Sequence, residues 1–182
     1  IAELSKGEIS NTTNELVSAA QEMGSSCIVV VPCIDSTMAD NAARISGVSK
    51  VIAAKSDVFS NYDAAAWAEA LDSVMPDGII VTAASAQSKD LAARLAARRG
   101  ISVIQDVIAI DGGILSTPIY SGKAIQNVSV SGNSVVSIRA NIFPSADNSG
   151  SSDVQVIDTT GNVTTALKEM VQRASQRLDV SE

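Results

Sequence analysis

The sequence predicts an α/β fold in which a parallel twisted sheet with helices on both faces ends in an antiparallel strand meander. Two observations predict it. Up to Ile104, short β-branched apolar runs alternate with alanine-rich stretches of helical period, which is the pattern of repeated βα units. Between residues 106 and 143 the helical period disappears, and short runs of Val, Ile and Thr are separated by glycine-containing breaks typical of turns between antiparallel strands.

The predicted parallel strands are short apolar runs without alternation, as expected where a strand is buried on both faces. The clearest run begins at Cys27 and closes at Pro32. The opening residues, Ile1 to Glu3, are interpreted as the end of a first strand. The strands predicted in this part of the chain span residues 1–3, 27–32, 50–54, 79–82 and 101–104.

Each predicted helix begins at a capping residue and ends near glycine or proline. Thr12 or Thr13 opens the first helix, whose apolar residues follow the spacing of three and four, and Gly24 ends it. Ser85 opens the fourth helix and Gly100 breaks it. The four helices are predicted at residues 12–23, 36–46, 61–75 and 85–99.

The composition excludes several classes of function. The formal net charge is −7 and the basic residues are scattered, which argues against nucleic-acid binding. The chain contains no histidine, so histidine-based acid–base catalysis and ordinary zinc catalytic sites are excluded. Cys27 and Cys33 lie about 20 Å apart on one predicted strand, at ~3.3 Å per residue, so they are interpreted as two reduced core residues. No run is long enough to span a membrane.

Three places could carry a ligand or a contact. The turn at residues 82–89 is the usual ligand position of an open α/β sheet, but it has no glycine to admit a phosphate, so an ordinary capped helix is favoured. Gly112 and Gly113 are interpreted as a tight turn. Asp106 and Arg139 either form a cross-strand ion pair, which is favoured, or contact a partner subunit. No catalytic residue, cofactor-binding residue or metal ligand is predicted.

Two sequence words carry a family resemblance. They are TPIYSGKA at residues 117–124 and VVSIRANIF at residues 135–143, and the match continues backwards through residues 88–107 and 45–54. In combination these words resemble the end of the amino-terminal domain of electron transfer flavoprotein α subunits. The resemblance covers roughly residues 1–143. It implies a Rossmann-type, nucleotide-hydrolase-like α/β fold.

The resemblance also implies a function. Such an α subunit forms a heterodimer with a β subunit and carries FAD in a separate carboxy-terminal domain. It is an electron carrier rather than an enzyme, and it passes electrons from acyl-CoA and other dehydrogenases, as in fatty acid β-oxidation, to a quinone reductase or related acceptor. A bacterial cytoplasmic location is expected, with the mitochondrial matrix as the alternative. The candidate contact residues for the β subunit are Tyr120, Ser121, Gly122, Lys123 and Arg139.

The expected organisation has two parts. Residues 1–143 form the amino-terminal α/β domain, which is expected to present surface and to hold no FAD itself. Residues 144–182 are expected to be a flexible linker followed by an amphipathic helix with Val163 and Leu167 on its apolar face, leading to an FAD-binding domain absent from this chain. The alternative function is a stand-alone adenine-nucleotide-binding or stress-type α/β module.

Overall fold

Two three-stranded parallel sheets, a three-stranded antiparallel sheet and a two-stranded ribbon carry the fold in the computed structural model, which describes residues 1–24, 26–130 and 132–168. The strands are β1 (Leu4–Ser5), β2 (Glu8–Ile9), β3 (Cys27–Cys33), β4 (Val48–Lys55), β5 (Ile79–Ala83), β6 (Ser102–Val107), β7 (Ala109–Asp111), β8 (Ile114–Ile119), β9 (Ala124–Ser129), β10 (Ser134–Ile138) and β11 (Val154–Asp158). The helices are α1 (Thr12–Met23), α2 (Ala39–Ala43), α3 (Ala64–Asp72) and α4 (Ala86–Arg99), with short 3₁₀ helices at Ser36–Met38 and Asp57–Ser60. The predicted α/β class is therefore confirmed.

The opening residues connect the two parallel sheets. One sheet has the strand order β11-β4-β3 and the other has the order β5-β10-β6. The N–H of Ala2 donates to the Val30 carbonyl of β3 at 2.9 Å, and the amino group of Ile1 donates to the Val81 carbonyl of β5 at 2.7 Å. The segment predicted as the end of a first strand thus lies between the two sheets and joins them through these hydrogen bonds.

Strands β3 and β10 are buried on both faces, which explains why their sequences do not alternate. Consecutive residues of β3 point to opposite faces, so Val30 packs with Trp67 and Leu71 of α3, whereas Val29 and Val31 belong to a second cluster. The second cluster contains residues of α1 and α2, namely Val17, Ala39 and Ala42. Helices on both faces therefore supply the core, as predicted.

The strand meander is shorter than the sequence suggests. β7, β8 and β9 form the antiparallel sheet, and Gly112 and Gly113 form the predicted tight turn between Asp111 and Ile114. The next strand, β10, instead runs parallel to both β5 and β6 and lies between them. All five of its residues are buried, which is typical of an internal parallel strand and not of a meander strand with one solvated face.

Residues 144–153, predicted to be a flexible linker, make several hydrogen bonds to the body of the fold. The Ser46 N–H donates to the Asp147 carbonyl at 2.8 Å, and the Gly150 N–H donates to the Arg44 carbonyl at 2.7 Å. Asn14, buried on α1, donates through its Nδ2 to the Ala146 carbonyl at 2.7 Å. β11 then pairs in parallel with β4 at the edge of the sheet. The body of the fold therefore extends through β11.

The predicted carboxy-terminal helix lies mostly outside the described residues. Residues 163–168 are described, and they are not helical, so a helix does not begin at Val163. The remaining positions of its predicted apolar face, which are Met170, Ala174 and Leu178, fall among residues that the structure does not describe. The predicted division into residues 1–143 and residues 144–182, with the latter leading to an FAD-binding domain, stays a prediction.

Candidate functional site

The predicted subunit contact centres on the turn between β8 and β9. Ile119 pairs with Ala124, and the four intervening residues form the loop, closed by the Gly122 N–H donating to the Ile119 carbonyl at 3.1 Å. Tyr120, Ser121 and Gly122 have φ angles of 51°, 57° and 83°. A left-handed conformation is uncommon for a tyrosine, so the turn holds the backbone of Tyr120 in a sterically costly conformation.

The ring of Tyr120 is presented to solvent, since the residue is 77% exposed. Lys123 is also exposed. Ile114 and Ile125 are large exposed hydrophobic residues on the same antiparallel sheet. Ile125 pairs with Pro118, which stands an even number of residues from Ile114, so both isoleucines lie on the same face of the sheet. An exposed apolar face beside an exposed aromatic is typical of a protein contact surface.

Arg139 does not lie with the other four predicted contact residues. It follows β10 at the carboxyl end of the parallel sheet. β8 runs back along β6, so that residues 117–119 line a groove together with residues 102–105 from the start of β6. The turn at residues 120–123 is thus near the amino end of β6, whereas Arg139 contacts Asp106 near its carboxyl end.

The favoured ion pair between Asp106 and Arg139 is confirmed. Arg139 Nε donates to Asp106 Oδ1 at 3.1 Å and its second guanidinium nitrogen donates to Asp106 Oδ2 at 2.5 Å, which makes the pair bidentate. Lys89 Nζ lies 3.9 Å from Asp106 Oδ1. The guanidinium of Arg139 holds the pKa of Asp106 below its ordinary value, with a smaller contribution from Lys89. Asp106 has a φ of 65° at an irregularity in the β6–β10 pairing, so the pair fixes a strained bend.

The ion pair borders a cleft at the carboxyl ends of the strands. The cleft has a volume of about 720 Å³ and is also lined by Glu3, Glu15 and Ser85. Asp106 and Arg139 neutralise each other, so the two glutamates leave the lining negative, which disfavours an anionic ligand. Ser88, in the first turn of α4, donates through its hydroxyl to Glu3 Oε2 at 2.5 Å.

The amino end of α4 is an ordinary capped helix start. The Ser85 hydroxyl accepts from the Ser88 N–H at 3.1 Å, which confirms Ser85 as the cap. The Ala84 N–H donates to the Ile138 carbonyl at 2.8 Å, and the Lys89 N–H donates to the Ser85 carbonyl at 2.9 Å. These N–H groups already have partners, so they are not available to a phosphate.

Cys27 and Cys33 are buried free thiols at the two ends of β3, as predicted. Burial raises the pKa of both thiols, and the neighbouring Asp35 adds to the effect at Cys33. Their separation along one strand prevents a disulfide between them. In the part of the chain that the structure describes, no group of three or more metal-ligating side chains is found.

One acidic residue makes a contact that sequence reasoning missed. Asp63 caps α3, accepting from the Ala65 and Ala66 N–H groups at 3.0 Å. It is also buried, and its second oxygen binds Thr164 and Thr165, which lie about a hundred residues further along the chain. No local pattern signals that second contact.

Comparisons with known proteins agree with the fold. The family model described as "Electron transfer flavoprotein domain" matches residues 1–179. The chain is 29% identical to the electron transfer flavoprotein subunit alpha of Bacillus subtilis, over 100% of this chain and 60% of that protein. It is 30% identical to the subunit alpha of Paracoccus denitrificans, over 85% of this chain and 53% of that protein. It is 32% identical to a probable mitochondrial subunit alpha of Cryptococcus neoformans, over 77% of this chain and 42% of that protein.

The chain thus spans about half the length of the curated relatives that it matches. In the described residues, no helix is both long and apolar enough to cross a bilayer. The matching model covers nearly the whole chain, and the relatives with which it aligns are α subunits. The chain therefore belongs to the electron transfer flavoprotein domain family and corresponds to the amino-terminal domain of its α subunits.

Proposed function

We propose that this chain is the platform of an electron transfer flavoprotein α subunit that forms a heterodimer with a β subunit. In the complete complex, FAD is held by polypeptide outside this chain. The complex carries electrons from acyl-CoA and other flavoprotein dehydrogenases to a quinone reductase or a related acceptor, in the bacterial cytoplasm or the mitochondrial matrix. The family match over residues 1–179 is the observation that carries the proposal.

The platform role is supported by the chemistry of the cleft at the strand ends. A site that binds a nucleotide there would offer free backbone N–H groups and a glycine that admits the phosphate. Here the turn at residues 82–89 has no glycine, the Ser88 N–H is bound to the Ser85 hydroxyl, and Glu3 and Glu15 line the cleft. The cleft is therefore poorly suited to bind an anionic cofactor, and its polar groups mainly bind one another.

We assign the β-subunit contact to the turn at residues 120–123, with the exposed isoleucines of the same sheet. Tyr120 supplies a large apolar area with few rotatable bonds, and Lys123 supplies a charge at the edge of the contact. Arg139 lies near the carboxyl end of β6, whereas the turn lies near its amino end. A role of Arg139 in the β-subunit contact is therefore proposed separately from that of the turn. Its bidentate pairing with Asp106 makes a structural role the stronger one.

Assembly with the β subunit tests the proposal. The chain carrying Tyr120→Ala and Lys123→Ala is co-expressed with the cognate β subunit, and heterodimer formation is measured by affinity capture and by titration of the purified subunits. We expect the double variant to weaken assembly by about tenfold or more, since truncation of an aromatic hot spot at an interface costs about 2 kcal/mol or more. Lys55→Ala, at an exposed lysine on the end of β4, is the matched control and should assemble normally.

Undiminished assembly of the double variant would contradict the assigned surface. Failure of the unsubstituted chain to bind any β subunit would contradict the heterodimer proposal itself.

Adenine nucleotides test the alternative function, which the family match does not favour. A stand-alone nucleotide-binding module would gain several °C of thermal stability from saturating AMP or ATP, whereas the platform should gain none.

A further inference from the structure

Residues 159–165 leave β11 and lie against α3. The N–H of Asn162 donates to Glu69 Oε2 at 2.8 Å. Gly161 approaches the helix so closely that a Cβ on it would lie 2.3 Å from the Ala66 carbonyl oxygen. Only a residue without a side chain fits this approach, so the path of the segment is set by direct contact with the helix backbone.

One buried carboxylate binds both α3 and this segment. Asp63 Oδ1 accepts from the N–H groups of Ala65 and Ala66, both at 3.0 Å. Asp63 Oδ2 accepts from the N–H groups of Thr164 and Thr165 at 3.0 and 2.9 Å. The same oxygen accepts from the two threonine hydroxyls at 3.3 and 2.8 Å. The carboxylate therefore joins the first turn of a helix to a segment about a hundred residues away in sequence.

The arrangement requires an ionised carboxylate. Each oxygen accepts from two backbone N–H groups, which can only donate, so a proton on either oxygen would face donors. The hydrogen bonds from Ala66 and from Thr165 hold the pKa of Asp63 well below its ordinary value. The acid is therefore charged throughout the physiological range, and the contact does not depend on pH there.

We propose that Asp63 is a latch that fixes the path of the polypeptide after β11, by holding Thr164 and Thr165 against the start of α3. The latch is a property of this chain alone. Its consequence for the rest of the protein, namely that it sets where an FAD-binding domain is attached to the platform, rests on the proposed function.

The variant Asp63→Asn separates the two contacts of the residue. An asparagine keeps one carbonyl oxygen, which can cap α3, but it presents an NH₂ group in place of the second oxygen, and NH₂ cannot accept from the threonine N–H groups. Amide hydrogen exchange of the 182-residue chain then reports each contact independently. Trp67, the single tryptophan, lies on α3 and reports by fluorescence whether the helix stays packed.

We expect exchange at Thr164 and Thr165 to be about tenfold faster or more in Asp63→Asn, with exchange in the first turn of α3 changed by less than about threefold. Asp57→Asn, at an exposed acid in the neighbouring 3₁₀ helix, is the control. It should leave the exchange rates of the Ala65, Ala66, Thr164 and Thr165 amides unchanged. Unchanged exchange at Thr164 and Thr165 in Asp63→Asn would overturn the latch.

A second variant protects the test against misfolding of the first. Thr164→Val with Thr165→Val removes both hydroxyl donors while keeping both N–H groups, so it should accelerate exchange of these two amides several-fold and leave α3 unaffected. If neither variant changes their exchange, the latch is wrong. No β subunit is present in these measurements, so their failure would leave the heterodimer proposal intact, and failure of heterodimer assembly would leave the latch intact.

Discussion

Substitution of Gly150 by alanine should destabilise the protein although the residue lies in a polar, linker-like stretch. A Cβ at this position would lie 2.6 Å from the Ile45 carbonyl oxygen and 3.0 Å from the Arg44 carbonyl oxygen. Both neighbours are backbone atoms after α2, and they cannot move aside as a flexible side chain could. The Gly150 N–H also donates to the Arg44 carbonyl at 2.7 Å. If the segment shifts away to relieve the clash, this hydrogen bond is lengthened.

The expected size of the effect follows from these contacts. Overpacking of a filled site costs about 1–3 kcal/mol, and the threatened hydrogen bond contributes about 1 kcal/mol of net stability. Removing a glycine from the unfolded chain gives back about 0.4–1 kcal/mol. We expect a loss of about 1–3 kcal/mol in the free energy of unfolding, equivalent to a fall in Tm of roughly 3–10 °C for a chain of this size.

Gly24→Ala is the matched control. Gly24 has a φ of −165°, which any residue adopts, and a Cβ on it would meet no atom within 4 Å. Thermal and urea unfolding of the two variants, monitored by circular dichroism, should place Gly24→Ala within about 0.5 kcal/mol of the unsubstituted chain. Equal stability of the two variants would refute the conclusion that residues 144–153 are docked on the body.

Two further predictions concern the ion pair and the thiols. Arg139→Gln should lower the free energy of unfolding by about 0.5–1 kcal/mol at pH 7, the usual range for a partly exposed pair. The folded-state pKa of Asp106 is depressed, so this stabilisation is present above about pH 4, the ordinary aspartate value, and is lost as the pH falls through the folded-state pKa. A difference in free energy of unfolding between the two proteins that stays constant from pH 7 to pH 2 would count against the pair. Cys27 and Cys33 should react with a disulfide reagent at pH 8 at less than about a tenth of their rate in the denatured chain, since burial raises both pKa values and blocks access. Fast labelling of either thiol in the native protein would show that β3 is not the buried strand described.

Local chemistry explains which parts of the fold were predictable. Ser85 caps α4 through its own hydroxyl, and Gly100 ends the helix with a φ of 63°. Each end of the helix is therefore determined by the residue that stands there. The turn at Gly112 and Gly113 is local in the same sense, because φ values of 55° and 83° suit only glycine without cost. Each of these features could be predicted from a few neighbouring residues.

The position of β10 was not predictable in this way, because strand order is a property of distant segments. The sequence did contain a signal: the run at residues 134–138 lacks the alternation of polar and apolar residues that a meander strand with one solvated face shows. Its place between β5 and β6 depends on pairing with strands 30–55 residues earlier in the chain, and no local pattern encodes that choice.

The hydrogen bonds of residues 144–153 to the body could not be predicted from composition. Most of these residues are exposed, and the stretch consists mainly of small and polar residues, with four serines. The segment is held through backbone groups, such as the Gly150 N–H, and through Asn14 of α1, none of which leaves a trace in composition. The second contact of Asp63 was missed for the same reason, since an aspartate before a helix already has a sufficient local explanation as a cap.

The assignment of the β8–β9 turn to the β-subunit contact can be tested by amide hydrogen exchange of the chain, measured alone and in complex with the cognate β subunit. We expect residues 119–125 to become strongly protected in the complex. A stable complex in which residues 119–125 exchange as they do in the free chain would show that the assignment is wrong.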